Sequence, residues 1–328
     1  MSAGAPSVVT ITFGPVDASM KEVLGPDVEL RSVAGVPDDE RSRILAESDV
    51  LFCWNFAREV RPGEGRALPA RFVQLVSAGA DHLPFGELPR RAVVASNVGA
   101  YAEPMAEHVL AMTLALLKRL PENHAKLASG AWNQTLTRWL SGSVCGILGF
   151  GGIGKATARR FGALGARVYA VNTSGRTDEA VEFVGTLDDL DHVLESSDVV
   201  VVSLPLTHRT SGLIGAPQLA RMKPDAVLVN VGRGAIVDET ALYEHLRSHL
   251  EFSAGIDTWW GEPFHARQFH VDHPFFELPN VLGSPHNSAL VPGIVEEAMA
   301  LAAANIRRFL GGQPVTGVVR PEDYLIED

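Results

Sequence analysis

Val144-Cys145-Gly146-Ile147-Leu148-Gly149-Phe150-Gly151-Gly152-Ile153-Gly154 reads as a buried apolar strand that runs into a glycine-rich turn. A helix-like segment, Lys155 to Leu164, follows, and Ala166 to Val171 reads as a second strand. Strand, glycine turn, helix and strand in that order form the unit that cradles a dinucleotide. Gly149 allows the tight turn, Gly151 lets the backbone approach a pyrophosphate, and Gly154 lets the helix pack closely on the strand. The helix N-terminus then turns its unpaired N–H groups and positive dipole end toward the phosphates. Gly149, Phe150, Gly151, Gly152, Ile153 and Gly154 are therefore the first expected cofactor contacts.

The end of the second strand bears on which dinucleotide fits. An NAD-binding unit usually carries Asp or Glu about 20 residues past the glycines, where it holds the ribose hydroxyls. This chain has Asn172, followed by Thr173, Ser174, Gly175 and Arg176. Without a carboxylate a 2′-phosphate meets no repulsion, and Arg176, with the hydroxyls of Thr173 and Ser174, supplies donors for it. NADP is the preferred cofactor on this reading; NAD held through Asn172, with Arg176 solvated, is the alternative.

Outward from this unit, short apolar runs alternate with helix-like segments. Val8–Phe13, Val28–Val33, Val50–Trp54, Phe72–Val76 and Ala92–Asn97 precede it as strands, with helices at Asp17–Leu24 and Asp38–Ser48. Strands at Asp198–Leu204, Ala226–Val231, Phe252–Asp257 and Val281–Ser284 follow, with helices at Asp188–Glu195, Pro217–Met222 and Glu239–Ser248. Such alternation predicts parallel sheets covered by helices. Glu103-Pro104 opens a largely apolar helical pattern, Met105–Leu120, stopped by Pro121, which reads as a buried helix that could cross from one domain to the other. Pro292–Leu310, ending at Gly311-Gly312, returns the chain to the first domain. With 328 residues, two domains are expected: residues 1–103 plus 289–328, and an inserted dinucleotide-binding domain, 104–288. The expected fold class is α/β, two doubly wound parallel-sheet domains of Rossmann-like and flavodoxin-like type with a cleft between them. Pro121–Gly142 reads as an arm whose Trp132 and Trp139 either pack on a partner or fold back on their own chain.

Composition narrows the classes. The chain is 46% hydrophobic and 20% charged, ordinary for a globular protein, and its net charge of −11 argues against a nucleic-acid surface. Cys53 and Cys145 lie in apolar runs, as buried reduced thiols do, and no metal-type spacing occurs. The N-terminus, Met1-Ser2-Ala3-Gly4, lacks a signal-peptide pattern, and apolar stretches are interrupted too soon to span a bilayer. A cytoplasmic protein with no nucleic-acid, membrane or metal partner is expected.

Three loops after late strands each offer one ionisable group: Arg233 in Asn230–Gly234, Glu262 in Asp257–Pro263, and His286 in Ser284–Asn287. Ligands bind at the C-terminal ends of strands in open α/β sheets. Carbonyl reduction needs a proton donor beside the hydride acceptor, and His suits that role near neutral pH. A carboxylate on the ring holds its tautomer and favours the protonated form, while Arg orients a carboxylate or carbonyl with two parallel hydrogen bonds. Earlier in the chain, Trp54-Asn55 and Ser77-Ala78-Gly79-Ala80-Asp81-His82 end strands, and the small residues of the second expose N–H groups suited to a carboxylate guest.

Taken together, these pieces resemble the D-isomer-specific 2-hydroxyacid dehydrogenase family. The similarity rests on Ala78–His82, Ala106-Glu107-His108, Gly146–Gly154, Leu204-Pro205-Leu206-Thr207, Asn230–Gly234, Asp257 with Glu262-Pro263, and Pro285-His286. The resemblance implies that His286 is the acid/base, Glu262 its partner and Arg233 the substrate-orienting residue. It implies a substrate site at Asn55, Ser77, Ala78 and Gly79, with the Ala78-Gly79 amides on the substrate carboxylate. It implies further that Asp257 meets the nicotinamide carboxamide and that Ser203, Leu204, Pro205, Thr210, Val231 and Gly232 line the cofactor groove. Family members are usually homodimers with an embracing arm, and domain closure excludes water during hydride transfer. Asn172, Trp259-Trp260 and Phe264–His273 depart from the commonest pattern. The expected activity is NADPH-preferring reduction of a small 2-oxo acid, such as glyoxylate or hydroxypyruvate, to the D-2-hydroxy acid. A dinucleotide-sensing binding protein, like the corepressors that share this fold, is the alternative.

Overall fold

A computed structural model of the chain describes residues 7–16, 18–263 and 268–324. The N-terminal residues before Ser7, Asp17 of the first expected helix, and the beginning of the Phe264–His273 segment lie outside the described residues. The chain forms two compact units, Met1–Ala100 with Pro292–Asp328, and Tyr101–Val291.

The first unit opens with β1 (Ser7–Ile11), α1 (Ala18–Leu24), β2 (Val28–Ser32), α2 (Asp38–Ala46), β3 (Val50–Cys53), α3 (Phe56–Glu59), β4 (Phe72–Leu75) and β5 (Val93–Ala95). Among the described residues its five strands pair in parallel in the order β2-β1-β3-β4-β5, the flavodoxin-like order.

The second unit holds α4 (Ala102–Leu117), α5 (Leu120–Ala128), β6 (Val144–Leu148), α6 (Gly152–Ala163), β7 (Arg167–Val171), β8 (Phe183–Gly185), α7 (Leu190–Ser196), β9 (Val199–Val202), α8 (Ala216–Arg221), β10 (Val227–Asn230), α9 (Glu239–Ser248), β11 (Ser253–Ile256) and β12 (Val281–Gly283). Its seven described strands, all parallel, run β12-β11-β10-β9-β6-β7-β8, so the order reverses between β9 and β6. Both faces are buried. Val199 and Val201 of β9 join one apolar cluster while Val200 and Val202 join the other, the period-two alternation of a central strand. The chain then returns to the first unit as α10 (Ile294–Leu310), where Phe309 stacks on Phe72 of β4 at 4.5 Å and the Asn305 amide donates to Gln74 at 2.7 Å.

Three details refine the sequence reading. Pro121 does not stop the long helix. That helix, α4, ends at Leu117, the backbone turns at Arg119 (φ 50°), and Pro121 sits in the first turn of α5, where a missing N–H costs nothing. Secondly, α4 lies wholly within the second unit, with Met112 and Leu116 against Gly255 of β11, rather than crossing between domains. Thirdly, β8 is a strand of three residues at the sheet edge, too short to show a hydrophobic period.

The arm is part helix and part irregular chain. Its end folds back: Arg138 N–H donates to Leu117 at 2.9 Å, Lys118 Nζ donates to the Arg138 carbonyl at 2.6 Å, and the same ammonium lies over the Trp139 ring. Trp132, Leu136 and Trp139 nevertheless stay 81%, 91% and 76% exposed. Both cysteines are buried and free. Among the described residues, no helix is long and apolar enough to cross a membrane, and no group of His, Cys, Asp or Glu could hold a metal ion.

Candidate active site

The glycine turn sits where the strand order reverses, at the C-terminal end of β6, the place where open α/β sheets bind ligands. Gly149 has φ +97°, and a Cβ there would strike the Ser203–Leu204 peptide at 2.7 Å, so only glycine is accommodated. Gly154 is pressed against the Gly149 carbonyl, which brings α6 onto the strand end. Gly151 differs: no atom lies within 4 Å of where its Cβ would be. That open space in front of the first turn of α6, beside N–H groups with no helical partner, fits a pyrophosphate. Phe150 is buried and Ser203 Oγ donates to the Gly149 carbonyl at 2.8 Å, tying the β9 loop to the turn. The loop that follows holds itself: Thr210, expected to line the groove, is buried and donates to the Pro205 carbonyl at 2.6 Å while accepting from Thr207 N–H at 2.9 Å.

After β7, Asn172 is a turn former. Its Oδ1 accepts from Ser174 N–H (2.9 Å), Gly175 N–H (2.7 Å) and Ser174 Oγ (3.2 Å), and its Nδ2 donates to the Arg176 carbonyl at 2.8 Å. The Ser174 hydroxyl also lies 3.3 Å from the Arg176 carbonyl, and Thr173, Ser174 and Arg176 are all exposed. The Arg176 guanidinium has no ion-pair partner among the described residues. Its acidic neighbours are already engaged, Asp178 by Lys155 and Glu179 by Arg159 at 2.8 Å.

Arg233, Glu262 and His286 follow β10, β11 and β12, three adjacent strands. His286 and Glu262 meet directly: Nδ1 lies 3.0 Å from both carboxylate oxygens. Glu262 is 5% exposed and also accepts from Trp259 N–H at 2.8 Å. Arg233 is half-buried on a turn that Asn230 braces, its Nδ2 donating to the Arg233 carbonyl at 2.9 Å and its Oδ1 accepting from Gly232 N–H at 3.1 Å. Gly234 lies so close to the Trp259–Trp260 peptide that a Cβ would meet it at 2.5 Å, so the Arg233 and Glu262 loops abut.

Asp257, fully buried, organises the third loop. Its carboxylate accepts from Ser284 Oγ (2.6 Å), Asn287 N–H (3.2 Å) and Ser288 N–H (3.4 Å), and its carbonyl accepts from His286 N–H at 2.9 Å. His286 itself has φ +52°, a left-handed conformation that a non-glycine residue keeps only when its surroundings over-determine it.

In the first unit, Ser77 Oγ donates to the Gly79 carbonyl at 3.1 Å, and neither Ala78 N–H nor Gly79 N–H has a partner among the described residues. Asn55 is held by a residue that the sequence reading passed over. Glu59 accepts from Asn55 N–H (2.6 Å), Trp54 N–H (3.0 Å) and the Thr12 hydroxyl (2.5 Å). Burial pushes the Glu59 carboxyl above its usual range, against the pull of those three donors. Its place four residues after Asn55, in the first turn of α3, is the only local signal for this role.

A glycine cradle at the switch point of a parallel sheet, with an imidazole–carboxylate pair at strand ends of the same sheet, defines a dinucleotide-binding enzyme of the dehydrogenase type. Residues 110–288 match the family model described as D-isomer specific 2-hydroxyacid dehydrogenase, NAD binding domain. The chain is similar to glyoxylate/hydroxypyruvate reductase B of Pectobacterium atrosepticum, with 36% identity over 261 residues, 77% of this chain and 79% of that one. It is 30% identical over 262 residues to glyoxylate reductase of Thermococcus gammatolerans, 77% of each chain. Among solved structures, the D-isomer specific 2-hydroxyacid dehydrogenase from Xanthobacter autotrophicus Py2, in complex with NADPH and MES, is similar at TM-score 0.76 and 27% identity over 98% of this chain and 100% of that one. The chain belongs to the D-isomer specific 2-hydroxyacid dehydrogenase family. It is accordingly an oxidoreductase acting on 2-hydroxy acids with a nicotinamide dinucleotide, and the dinucleotide-sensing alternative is not favoured.

The cradle makes a prediction that separates folding from binding. Gly151→Ala adds a methyl group in open space, so the melting temperature should stay within about 2 °C of wild type while dinucleotide affinity falls at least about tenfold, as close backbone approach is lost. A thermal scan reads the melting temperature and calorimetric titration with the dinucleotide alone reads the affinity, and an unchanged affinity would refute the assignment of the cradle.

Proposed function

We propose that the protein reduces a small 2-oxo acid of the glyoxylate or hydroxypyruvate type to the D-2-hydroxy acid, with NADPH preferred over NADH. The observation that carries this reading is the His286–Glu262 pair, an imidazole whose Nδ1 is held at 3.0 Å by both oxygens of a buried carboxylate. The bound dinucleotide supplies a hydride to the carbonyl carbon. With Nδ1 engaged by Glu262, His286 delivers its proton to the carbonyl oxygen from Nε2. Glu262 keeps the ring in one tautomer and offsets the charge of the imidazolium before the transfer. Arg233 orients the substrate by its carboxylate or carbonyl; in the first unit the Ala78 and Gly79 N–H groups, without a partner among the described residues, are donors suited to a carboxylate. The substrate class is supported by the names of the two reductases above, and the cofactor preference by the NADPH complex of the Xanthobacter relative together with the loop at Asn172. The exposed Trp132, Leu136 and Trp139 are the surface that a second copy covers, giving a cytoplasmic homodimer.

Three measurements bear on this reading. His286→Ala should lower kcat/KM with glyoxylate or hydroxypyruvate by about a hundredfold or more, the usual contribution of a general acid, while the dinucleotide Kd stays within about twofold; turnover equal to wild type would remove His286 from the role. Arg176→Ala should raise the KM for NADPH about tenfold, the value of one charge-assisted hydrogen bond, and that for NADH less than about twofold. Equal effects on the two cofactors would overturn the 2′-phosphate assignment. Sedimentation should give twice the 35.2 kDa of one chain, and a monomer at micromolar concentration would refute the dimer.

A further inference from the structure

Behind the loop that carries His286 lies a chain of hydrogen bonds with a defined direction. Ser284 Oγ donates its one proton to Asp257 Oδ1 at 2.6 Å. The same oxygen lies 2.9 Å from His108 Nε2, and with its proton committed it can only accept there, so Nε2 carries the hydrogen. His108 comes from α4, an element apart from the strand-end loops, and its ring is partly exposed. Among the described residues it is the one basic side chain within ion-pair distance of Asp257, with Nε2 3.7 Å from Oδ1. Asp257 in turn accepts from the backbone N–H groups of Asn287 and Ser288 and, through its carbonyl, from that of His286. A direction therefore runs from α4 to the left-handed backbone of the imidazole: His108 holds Ser284, Ser284 holds the carboxylate, and the carboxylate holds the peptide groups on the far side of His286.

We propose that His108 is a positioning residue for His286, acting through Ser284 and Asp257 to keep the His286 backbone in its left-handed conformation and so the ring against Glu262. The proposal rests on the reading of His286 as acid/base. A left-handed His relaxes toward an ordinary conformation once its restraints weaken, and relaxation swings the imidazole off the Glu262 carboxylate. Loss of the donor from His108 leaves Ser284 free to rotate away from Asp257, which loosens one of three donors on a buried anion and with it the loop. The restraint acts on the backbone that presents the imidazole, so the effect falls on the proton-transfer step.

The test compares His108→Leu, which removes the donor at similar volume, with His108→Gln, whose amide nitrogen restores a donor near the position of Nε2, and with Ser284→Ala, which interrupts the chain from the loop side. In His108→Leu and Ser284→Ala, kcat should fall about tenfold, the kinetic equivalent of one hydrogen bond. In the protein without cofactor or substrate, the amides of His286, Asn287 and Ser288 should exchange with solvent about tenfold faster. His108→Gln should return both quantities to within about twofold of wild type, and His108→Leu should add little to Ser284→Ala, as expected for two members of one chain. Wild-type exchange and turnover in His108→Leu, or a His108→Gln variant no better than His108→Leu, would overturn the proposal. Should His108→Leu fail to fold, Ser284→Ala decides alone. The exchange data stand apart from turnover, so a wild-type protein that reduces no 2-oxo acid would refute the assigned reaction while the restraint on the loop is still read.

Discussion

A carboxylate with no exposure to water sits just past the end of β11, and the geometry of the strand-end loops depends on how it is satisfied. Taking Asp257 out of solvent is costly unless donors surround it. One serine hydroxyl and two backbone N–H groups do so, and all three belong to the segment Ser284–Ser288. The desolvated charge therefore enforces one path for that segment, and the path includes the left-handed His286 at a cost of about 1–3 kcal/mol. The cost is tolerated because a relaxed loop would strand the anion. Stability and function are coupled here through a single side chain.

Two buried carboxylates thus divide the work at these strand ends. Asp257 grips backbone, and Glu262 grips the imidazole that the backbone presents. Glu262 is itself held, since Trp259 N–H occupies one of its oxygens. The cradle at the end of β6 is built independently, from glycines and a helix N-terminus rather than from charges. What relates the two is the sheet. Four strand steps separate β6 from β12, which leads into His286, and at about 4.8 Å per step the spacing is roughly 19 Å. A pleated, hydrogen-bonded sheet buried on both faces deforms little, so cradle and imidazole keep their separation without any direct contact.

Which of these features a reader of the sequence can find follows from the range of the interactions involved. Apolar runs such as Val199–Val202 announce buried strands because burial on both faces is a local property of the run. The glycine turn and the loops bearing Glu262 and His286 are likewise local, and strand ends are predictable places for ligands. Pro121 misleads because the same ring ends one helix or starts another, and only the turn at Arg119, invisible in composition, decides between them. The relay is harder still. His108 and Ser284 are 176 residues apart, and neither has a neighbour in sequence that marks it as a partner. Glu59 shows the intermediate case: its bond to Asn55 spans four residues, yet Thr12 joins the same carboxylate from 47 residues away.

The loop after β7 shows how a local hydrogen-bond pattern limits chemistry at a distance. Asn172 uses both ends of its amide: the oxygen takes three donors, and the nitrogen donates to the Arg176 carbonyl at 2.8 Å. An aspartate could accept the same donors with one oxygen, but its second oxygen would then face a carbonyl oxygen across the same gap. Two acceptors at that distance repel, and the turn would open. The want of negative charge at the end of β7 is thus a requirement of the turn itself. It leaves Arg176 at the tip with no acidic residue holding it among the described residues, because Asp178 and Glu179 are engaged by the side chains of α6. A phosphate-bearing ligand arriving there would meet a cation and exposed hydroxyls in place of a carboxylate, which is the electrostatic reverse of a ribose-hydroxyl site.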